Sequence, residues 1–276
     1  MRTLSFGGQK VPVLGQGTWY MGESPHKRAE EIRALQTGID LGMTLIDTAE
    51  MYGNGASEEL VGEAVRGRRD SVFLVSKVLP SNASRQGTKT ACERSLKRLG
   101  TDRIDMYLLH WQGRYPFEET VEAMLGLVRE GKIASWGVSN MDVDEMEEFF
   151  AFSQGKTCAT NQILYNLSRR GIEYDLLPWC AQRSLPVMAY SPVEQGRILK
   201  NGTLLQVARK HNATPAQTAL AWVLRNSGVL AIPKAGVAAH VQENAASLAI
   251  TLDSSDFALL DGAFPAPRRK TPLEML

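Results

Sequence analysis

Three apolar, β-prone runs in this chain each stop on an ionisable side chain, and the three differ in chemistry. Thr44-Leu45-Ile46 runs into Asp47, Val72-Phe73-Leu74-Val75-Ser76 into Lys77, and Ile104-Asp105-Met106-Tyr107-Leu108-Leu109 into His110. A tyrosine, Tyr52, sits five residues beyond the first. Near-continuous apolar runs mark strands buried on both faces of a parallel sheet. A charge closing each run points functional groups at one rim. A carboxylate, an ammonium, an imidazole and a phenol on such a rim form a proton-delivery set.

The length of 276 residues suits one α/β barrel. A hydrophobic content of 43% supports a large core, and 31 Lys+Arg against 30 Asp+Glu leave a formal charge of +1. That balance gives no electrostatic footprint for nucleic acid or an anionic membrane. No stretch reaches the ~18 apolar residues of a spanning helix, and Met1 to Gly8 lacks a signal-peptide core. Cys92, Cys158 and Cys180 are far apart, which suggests neither a disulfide framework nor a zinc site. Reduced, mostly buried thiols and a cytoplasmic location are expected.

Strands and helices alternate along the chain. Leu4–Phe6 and Val11–Val13 flank Gly7-Gly8 as a short hairpin before the main fold. Strands are predicted near 13–17, 44–47, 72–76, 104–109, 133–138, 159–162, 186–190 and 229–232. Helices are predicted near 27–41, 58–66, 84–98, 117–130, 142–151, 172–183, 202–211 and 215–226, with a further pair near 238–247 and 254–263. Thr214-Pro215-Ala216-Gln217 is a capping box with proline at the first helical position. Gly42 and Gly131 read as left-handed caps. The pattern fits a closed (β/α)8 barrel or a doubly wound open sheet. No linker, low-complexity segment or repeat divides it, so one domain over 1–276 is expected.

Carbonyl reduction needs a hydride at carbon and a proton at oxygen. A phenol is a plausible acid, but its ordinary pKa of ~10 is high for donation near neutrality. A nearby ammonium stabilises phenolate, and a carboxylate partner keeps that ammonium charged in a buried site. Tyr52 as acid, Lys77 as tuner, Asp47 as the partner of Lys77 and His110 as the group orienting the carbonyl fit these needs without a metal. Taken singly, Asp47 reads as a cap, Lys77 as a solvated strand end, Tyr52 as a loop aromatic and His110 as a core histidine. Their joint placement favours chemistry.

The segments Gly17-Thr18-Trp19, Asp47-Thr48-Ala49-Glu50-Met51-Tyr52-Gly53, Ser76-Lys77, Leu108-Leu109-His110-Trp111, Gly137-Val138-Ser139-Asn140, Asn161-Gln162, Ala189-Tyr190-Ser191-Pro192 and Ile232-Pro233-Lys234 resemble, in order, those of aldo-keto reductases. The resemblance covers about residues 4 to 263. It implies a single (β/α)8 TIM barrel with an N-terminal hairpin and two extra C-terminal helices. It also implies NADPH bound across the strand C-termini, with NADH a weaker second, and the tetrad reasoned above. Short bacterial members that reduce methylglyoxal and other small aldehydes are the most similar in pattern.

By that resemblance, Ser139, Asn140 and Gln162 bind the nicotinamide carboxamide and Tyr190 stacks on its ring. Gly17, Thr18, Trp19 and Asp47 join the cofactor site. Ser191, Pro192, Val193, Gln195 and Gly196 belong to the loop over the pyrophosphate, and Lys234, Ala235, His240, Glu243 and Asn244 fall at the adenosine end. Taken alone, Asn140 and Gln162 read first as loop caps, while Glu243 and Asn244 read equally as solvated residues. The usual hydroxyl residue and arginine of the 2′-phosphate site are Ala235 and His240 here. An imidazole with an ordinary pKa of ~6.5 replaces a permanent cation, so a reduced NADPH preference that grows as pH falls is expected. Trp19 and Trp111, with Tyr52 and His110, are the expected walls of the substrate pocket or else rim packing. Only twelve residues follow Phe264, which predicts an open rim and small carbonyl substrates. A monomer or weak oligomer is expected.

Gly53-Asn54-Gly55 lacks the third glycine of a dinucleotide fingerprint, because Glu58 stands there. His26 and His211 read as surface residues. Two rivals remain: a lyase using Lys77 or Lys234 as a Schiff-base amine, and a nucleotide-sensing subunit without turnover.

Overall fold

Alternation with a period of two decides which side chains reach the centre of this fold. The computed structural model describes residues 1–276. A hairpin of β1 (Thr3–Phe6) and β2 (Gln9–Pro12) pairs Thr3 with Pro12 and Phe6 with Gln9. Gly7 and Gly8 both take positive φ at its turn, as a tight two-residue hairpin requires.

Eight parallel strands follow: β3 (Gln16–Gly17), β4 (Leu45–Asp47), β5 (Phe73–Val78), β6 (Ile104–Leu109), β7 (Ile133–Ser139), β8 (Asn161–Leu164), β9 (Val187–Tyr190) and β10 (Val229–Ala231). They neighbour one another in chain order. Parallel bridges Leu14–Ala231 and Gly17–Lys234 join the last to the first. The ring therefore closes, and the barrel rather than the open sheet is observed.

The helices outside it are α1 (Arg28–Asp40), α2 (Ala56–Ala64), α3 (Arg85–Leu99), α4 (Phe117–Arg129), α5 (Val143–Ala151), α6 (Leu176–Gln182), α7 (Gly202–Lys210), α8 (Pro215–Val223), α9 (Ala238–Ala246) and α10 (Ser254–Ala263). The capping box at Thr214 is present, and Gly42 and Gly131 are left-handed. Two elements are much shorter than the sequence suggests, and α8 also ends at Val223 rather than near 226. Only Gln16–Gly17 of the 13–17 run forms regular strand. The helix expected at 172–183 starts at Leu176, capped by Asp175. Pro178 explains this, since a proline is tolerated within the first turn and breaks a helix begun earlier.

Inside the barrel lie Leu45, Phe73, Val75, Met106, Leu108, Met188, Leu230 and Ile232, closed off at one end by Phe6 and Val11 of the hairpin. The Phe6 and Phe73 rings meet edge to face at 5.4 Å. The alternate residues Ile46, Leu74, Tyr107 and Leu109 pack outward beneath the helices. The inward file of β5 is thus Phe73, Val75, Lys77. Those of β4 and β6 run Leu45, Asp47 and Met106, Leu108, His110. Apolar side chains fill the hairpin end, and the ionisable ones reach the opposite rim.

Gly38 of α1 shows how tightly the outer layer is set. A Cβ there falls 2.1 Å from Gln16 Oε1, while Gln16 Nε2 donates to Leu35 O at 3.1 Å and Met43 O at 3.0 Å. Alanine for glycine in a helix ordinarily gains ~0.5–1 kcal/mol. Here the overpacking cost of ~1–3 kcal/mol outweighs it. Gly38→Ala is expected to lower the urea midpoint. A raised midpoint would show that Gln16 yields freely.

Candidate active site

Lys77 is a fully buried lysine whose ammonium has three acceptors. Nζ lies 2.8 Å from Asp47 Oδ2, 2.8 Å from the Thr48 carbonyl and 3.1 Å from the Tyr52 hydroxyl. A lysine ammonium has three donors, so all are used. The second oxygen of Asp47 accepts from Gln162 Nε2 at 2.8 Å. Burial opposes the charge on Lys77, but Asp47 and Tyr52 overcome it and hold its pKa above the ordinary lysine value.

The Tyr52 phenol accepts from Lys77, which leaves its own O–H free. Burial raises its pKa above the ordinary value, and Lys77 pulls the other way without prevailing. The tuning expected from the sequence therefore has the expected direction, yet burial wins. After Tyr52 the chain turns through Gly53, Asn54 and Gly55, all left-handed, before α2 begins. Ser57, fully buried in that helix, fixes the turn. Its hydroxyl donates toward Thr18 Oγ1 at 2.8 Å and accepts from Thr48 at 3.2 Å, and Thr18 in turn donates to the Asp47 carbonyl at 2.9 Å.

His110 sits beyond β6 with ring centroids 5.9 Å from Tyr52 and 4.8 Å from Trp111. Burial, with a smaller push from Lys77, places its pKa well below the ordinary histidine value. Its Nδ1 is buried without a partner. The backbone carbonyl of His110 accepts from Asn140 Nδ2 at 3.1 Å. Asn140 also donates to Ser139 Oγ and accepts from the Tyr190 hydroxyl at 2.9 Å, and Ser139 donates to the Gln162 carbonyl. These groups, expected to grip a carboxamide, hold one another here.

A cavity of about 510 Å³ opens beside Tyr52. Its wall includes Gly17, Thr18, Trp19, Asp47, Tyr190, Ser191, Pro192, Val193, Gln195, Gly196, Lys234, His240, Glu243 and Asn244. One end is aromatic, and the other carries Lys234 and His240. That arrangement fits a long ligand with a planar group at one end and an anionic group at the other, as a dinucleotide has. Ala235 does not line the wall and packs against the core. Ser139, Asn140, Gln162, His110 and Trp111 also stay off the wall, joined to it through Asp47, Tyr190 and Tyr52. Glu243 is tied to the α8 cap, accepting from Thr214 Oγ1.

The sequence reading missed several participants. Tyr20 and Leu199 line the cavity. Glu194 is buried and accepts from Asn166 at 2.7 Å, Arg197 at 2.7 Å and Arg169 at 3.1 Å, pinning the 191–196 loop. An acidic residue between cavity-lining neighbours was the available signal. The segment after Phe264 is tied to neighbouring loops by ion pairs. Lys270 pairs with Asp175 at 3.1 Å, and Glu274 pairs with Arg169. His211 is not a plain surface residue, since its Nε2 meets the fully buried Asp256 at 2.7 Å. His26 is exposed and the three cysteines are buried.

A family model described as the aldo/keto reductase family matches residues 13–264. The chain belongs to this family. Among relatives of this aldo/keto reductase, methylglyoxal reductase YeaE of Escherichia coli (strain K12) is 55% identical over 281 residues, covering 100% of this chain and 99% of the relative. Glyoxal reductase of Bacillus subtilis (strain 168) is 34% identical over 92% of this chain and 89% of its own. The crystal structure of an aldo/keto reductase from Klebsiella pneumoniae in complex with NADP and acetate superimposes with a TM-score of 0.98 at 54% identity, covering 99% of each chain.

Proposed function

We propose that this aldo/keto reductase reduces small carbonyl compounds, 2-oxoaldehydes such as methylglyoxal among them, with NADPH. The observation that carries the reading is the buried Lys77 ammonium shared between Asp47 and the free-hydrogen phenol of Tyr52 at the cavity wall. Relatives named as methylglyoxal and glyoxal reductases support the substrate class, and a structural relative solved with NADP supports the cofactor. Asp47, Ser139, Asn140, Gln162 and Tyr190 would hold the nicotinamide end, the 191–196 loop the pyrophosphate, and Lys234, His240 and Asn244 the adenosine end. When bound, NADPH supplies the hydride.

The protein supplies the proton and the orientation. Tyr52 donates its hydrogen to the carbonyl oxygen as negative charge grows there. Lys77, held charged by Asp47, stabilises the phenolate left behind. His110 is neutral. With Nδ1 sealed off, its proton is best carried on Nε2, where it donates to the same oxygen. The three-acceptor clamp on Lys77 argues against that lysine as the Schiff-base amine of a lyase, which needs a free neutral amine. We read the chain as one domain acting on small molecules, a cytoplasmic monomer or weak oligomer. The near-neutral charge and buried thiols support this, and no helix is long and apolar enough to cross a membrane.

Tyr52→Phe is expected to cut methylglyoxal reduction ~10²–10⁴-fold, the scale of a lost general acid, with NADPH affinity nearly unchanged by fluorescence titration. Near-native turnover would remove Tyr52 from the role. The donor must be protonated and burial raises its pKa, so the native rate should fall only above the ordinary phenol value of ~10.

His240 lines the same cavity as Lys234, at the end suited to an anionic group. His240→Arg should tighten NADPH by about 1–2 kcal/mol, as a charge-assisted hydrogen bond does, with little change for NADH. Equal tightening of both would mean that His240 does not face the 2′-position.

A further inference from the structure

Two arginines crowd one buried carboxylate beside the cavity, and a distant segment of chain removes the surplus charge. Glu194 is 3% exposed, and its Oε1 accepts from Arg169 Nε at 3.2 Å, Arg169 Nη2 at 3.1 Å and Arg197 Nη2 at 2.7 Å. Its Oε2 accepts from Asn166 Nδ2 at 2.7 Å, and the same amide donates to the Ser191 carbonyl at 2.9 Å. One negative charge thus faces two guanidinium groups. The remaining arm of Arg169, Nη1, donates to Glu274, beyond the last helix. The charges balance only when Glu274 is included.

The loop held in this way is strained. Ser191, Glu194 and Gln195 have φ of +48°, +50° and +53°, a region that side chains enter at a cost and leave once their surroundings stop imposing it. Its support is rigid. Asn166 is fully buried, and its Oδ1 accepts from the Ser168 and Arg169 N–H groups at 2.9 and 3.0 Å. Glu274 is presented to that support rather than left free. Lys270 pairs with Asp175 at 3.1 Å and Asp142 at 3.5 Å, and Leu273 packs on the core. Anchoring on this scale reduces the entropy cost that usually cancels a part-exposed ion pair.

We propose that Glu274 is a positioning residue for the 191–196 loop, acting through Arg169, so that the segment beyond the last helix governs how long NADPH is retained. The inference rests on the proposed place of that loop over the pyrophosphate. Ser191, Pro192, Val193, Gln195 and Gly196 line the cavity and Glu274 does not, so its influence passes through the guanidinium. With Glu274 neutral, Arg197 repels an uncompensated Arg169, the hold on Glu194 weakens, and the strained loop opens more often.

Stopped-flow release of NADPH, followed by its fluorescence, reads this latch. Glu274→Gln should speed release about two- to fivefold, the range of a part-exposed ion pair. In an Arg169→Met background the same substitution should do nothing, because such a cycle isolates the pair. Unchanged release in the single variant overturns the proposal, as does a change confined to the KM for methylglyoxal. Equal speeding in both backgrounds also overturns it, since Glu274 would then act as a distant charge or cover the cofactor directly. If Arg169→Met does not fold, Arg169→Lys replaces it, because one ammonium cannot span both carboxylates as a planar guanidinium does. An undiminished effect of Glu274→Gln there contradicts the proposal. A native protein that binds no NADPH would refute the proposed function instead. Hydrogen exchange at the amides of residues 193–196 then reads the latch without cofactor. Glu274→Gln should raise that exchange in the native background and leave it unchanged beside Arg169→Met; equal exchange with and without Glu274 contradicts the proposal.

Discussion

A lysine ammonium sealed from water governs the architecture of this rim. Removing one ion of this kind from water costs several kcal/mol even after relaxation. Three acceptors at 2.8 to 3.1 Å offset that cost. The acceptors come from the end of β4 and the stretch that leads from it to α2, and each needs its own support. Asp47 is held by Gln162 from across the barrel, Thr48 by Ser57, and Tyr52 by a turn of three left-handed residues. Loss of any one support would leave a charge buried without a full set of partners, which is more costly than the pair is stabilising. The charge thus constrains backbone well beyond itself.

The barrel makes this placement possible through alternation. Because successive strand residues face opposite sides, the apolar inward positions of β4, β5 and β6 continue without a break into Asp47, Lys77 and His110. The hairpin supplies Phe6 and Val11 to the closed end, so the polar end needs no apolar filling of its own. On the far side of the cavity, Glu194 performs a parallel task. It is a buried carboxylate that gathers Asn166, Arg169 and Arg197 and so fixes a loop with three non-glycine residues at positive φ.

The strand-terminal residues were legible because each is announced locally, by an apolar run that stops on a charge. The same holds for Thr214, Gly42 and Gly131, whose roles are written in two to four neighbouring residues. The supporting residues were not legible for the opposite reason. Ser57 acts between Thr18 and Thr48, and Glu194 acts on Asn166 and Arg169, partners far away in sequence that only the closed ring brings close. Tyr20, which lines the cavity, escaped notice because nothing in its neighbouring residues announces the positive φ that places it there. Ala235, placed by pattern at the adenosine end, is partly buried against the core and does not line the cavity. The segment after Phe264 looked too short to matter, and ion pairs nonetheless bind it to the loops beyond β7 and β8.

The account stands or falls on the charge of Lys77. Burial alone would make it a neutral amine near pH 7, unable to stabilise a phenolate. Asp47 and Tyr52 instead outweigh burial and hold its pKa above the ordinary 10.5. The direct measurement is a pH titration of the Lys77 side-chain nitrogen by ¹⁵N NMR, assigned by comparison with Lys77→Met. A resonance that stays in the ammonium range past pH 10.5 is the predicted result. A neutral-amine resonance at pH 7 to 8 would contradict the account.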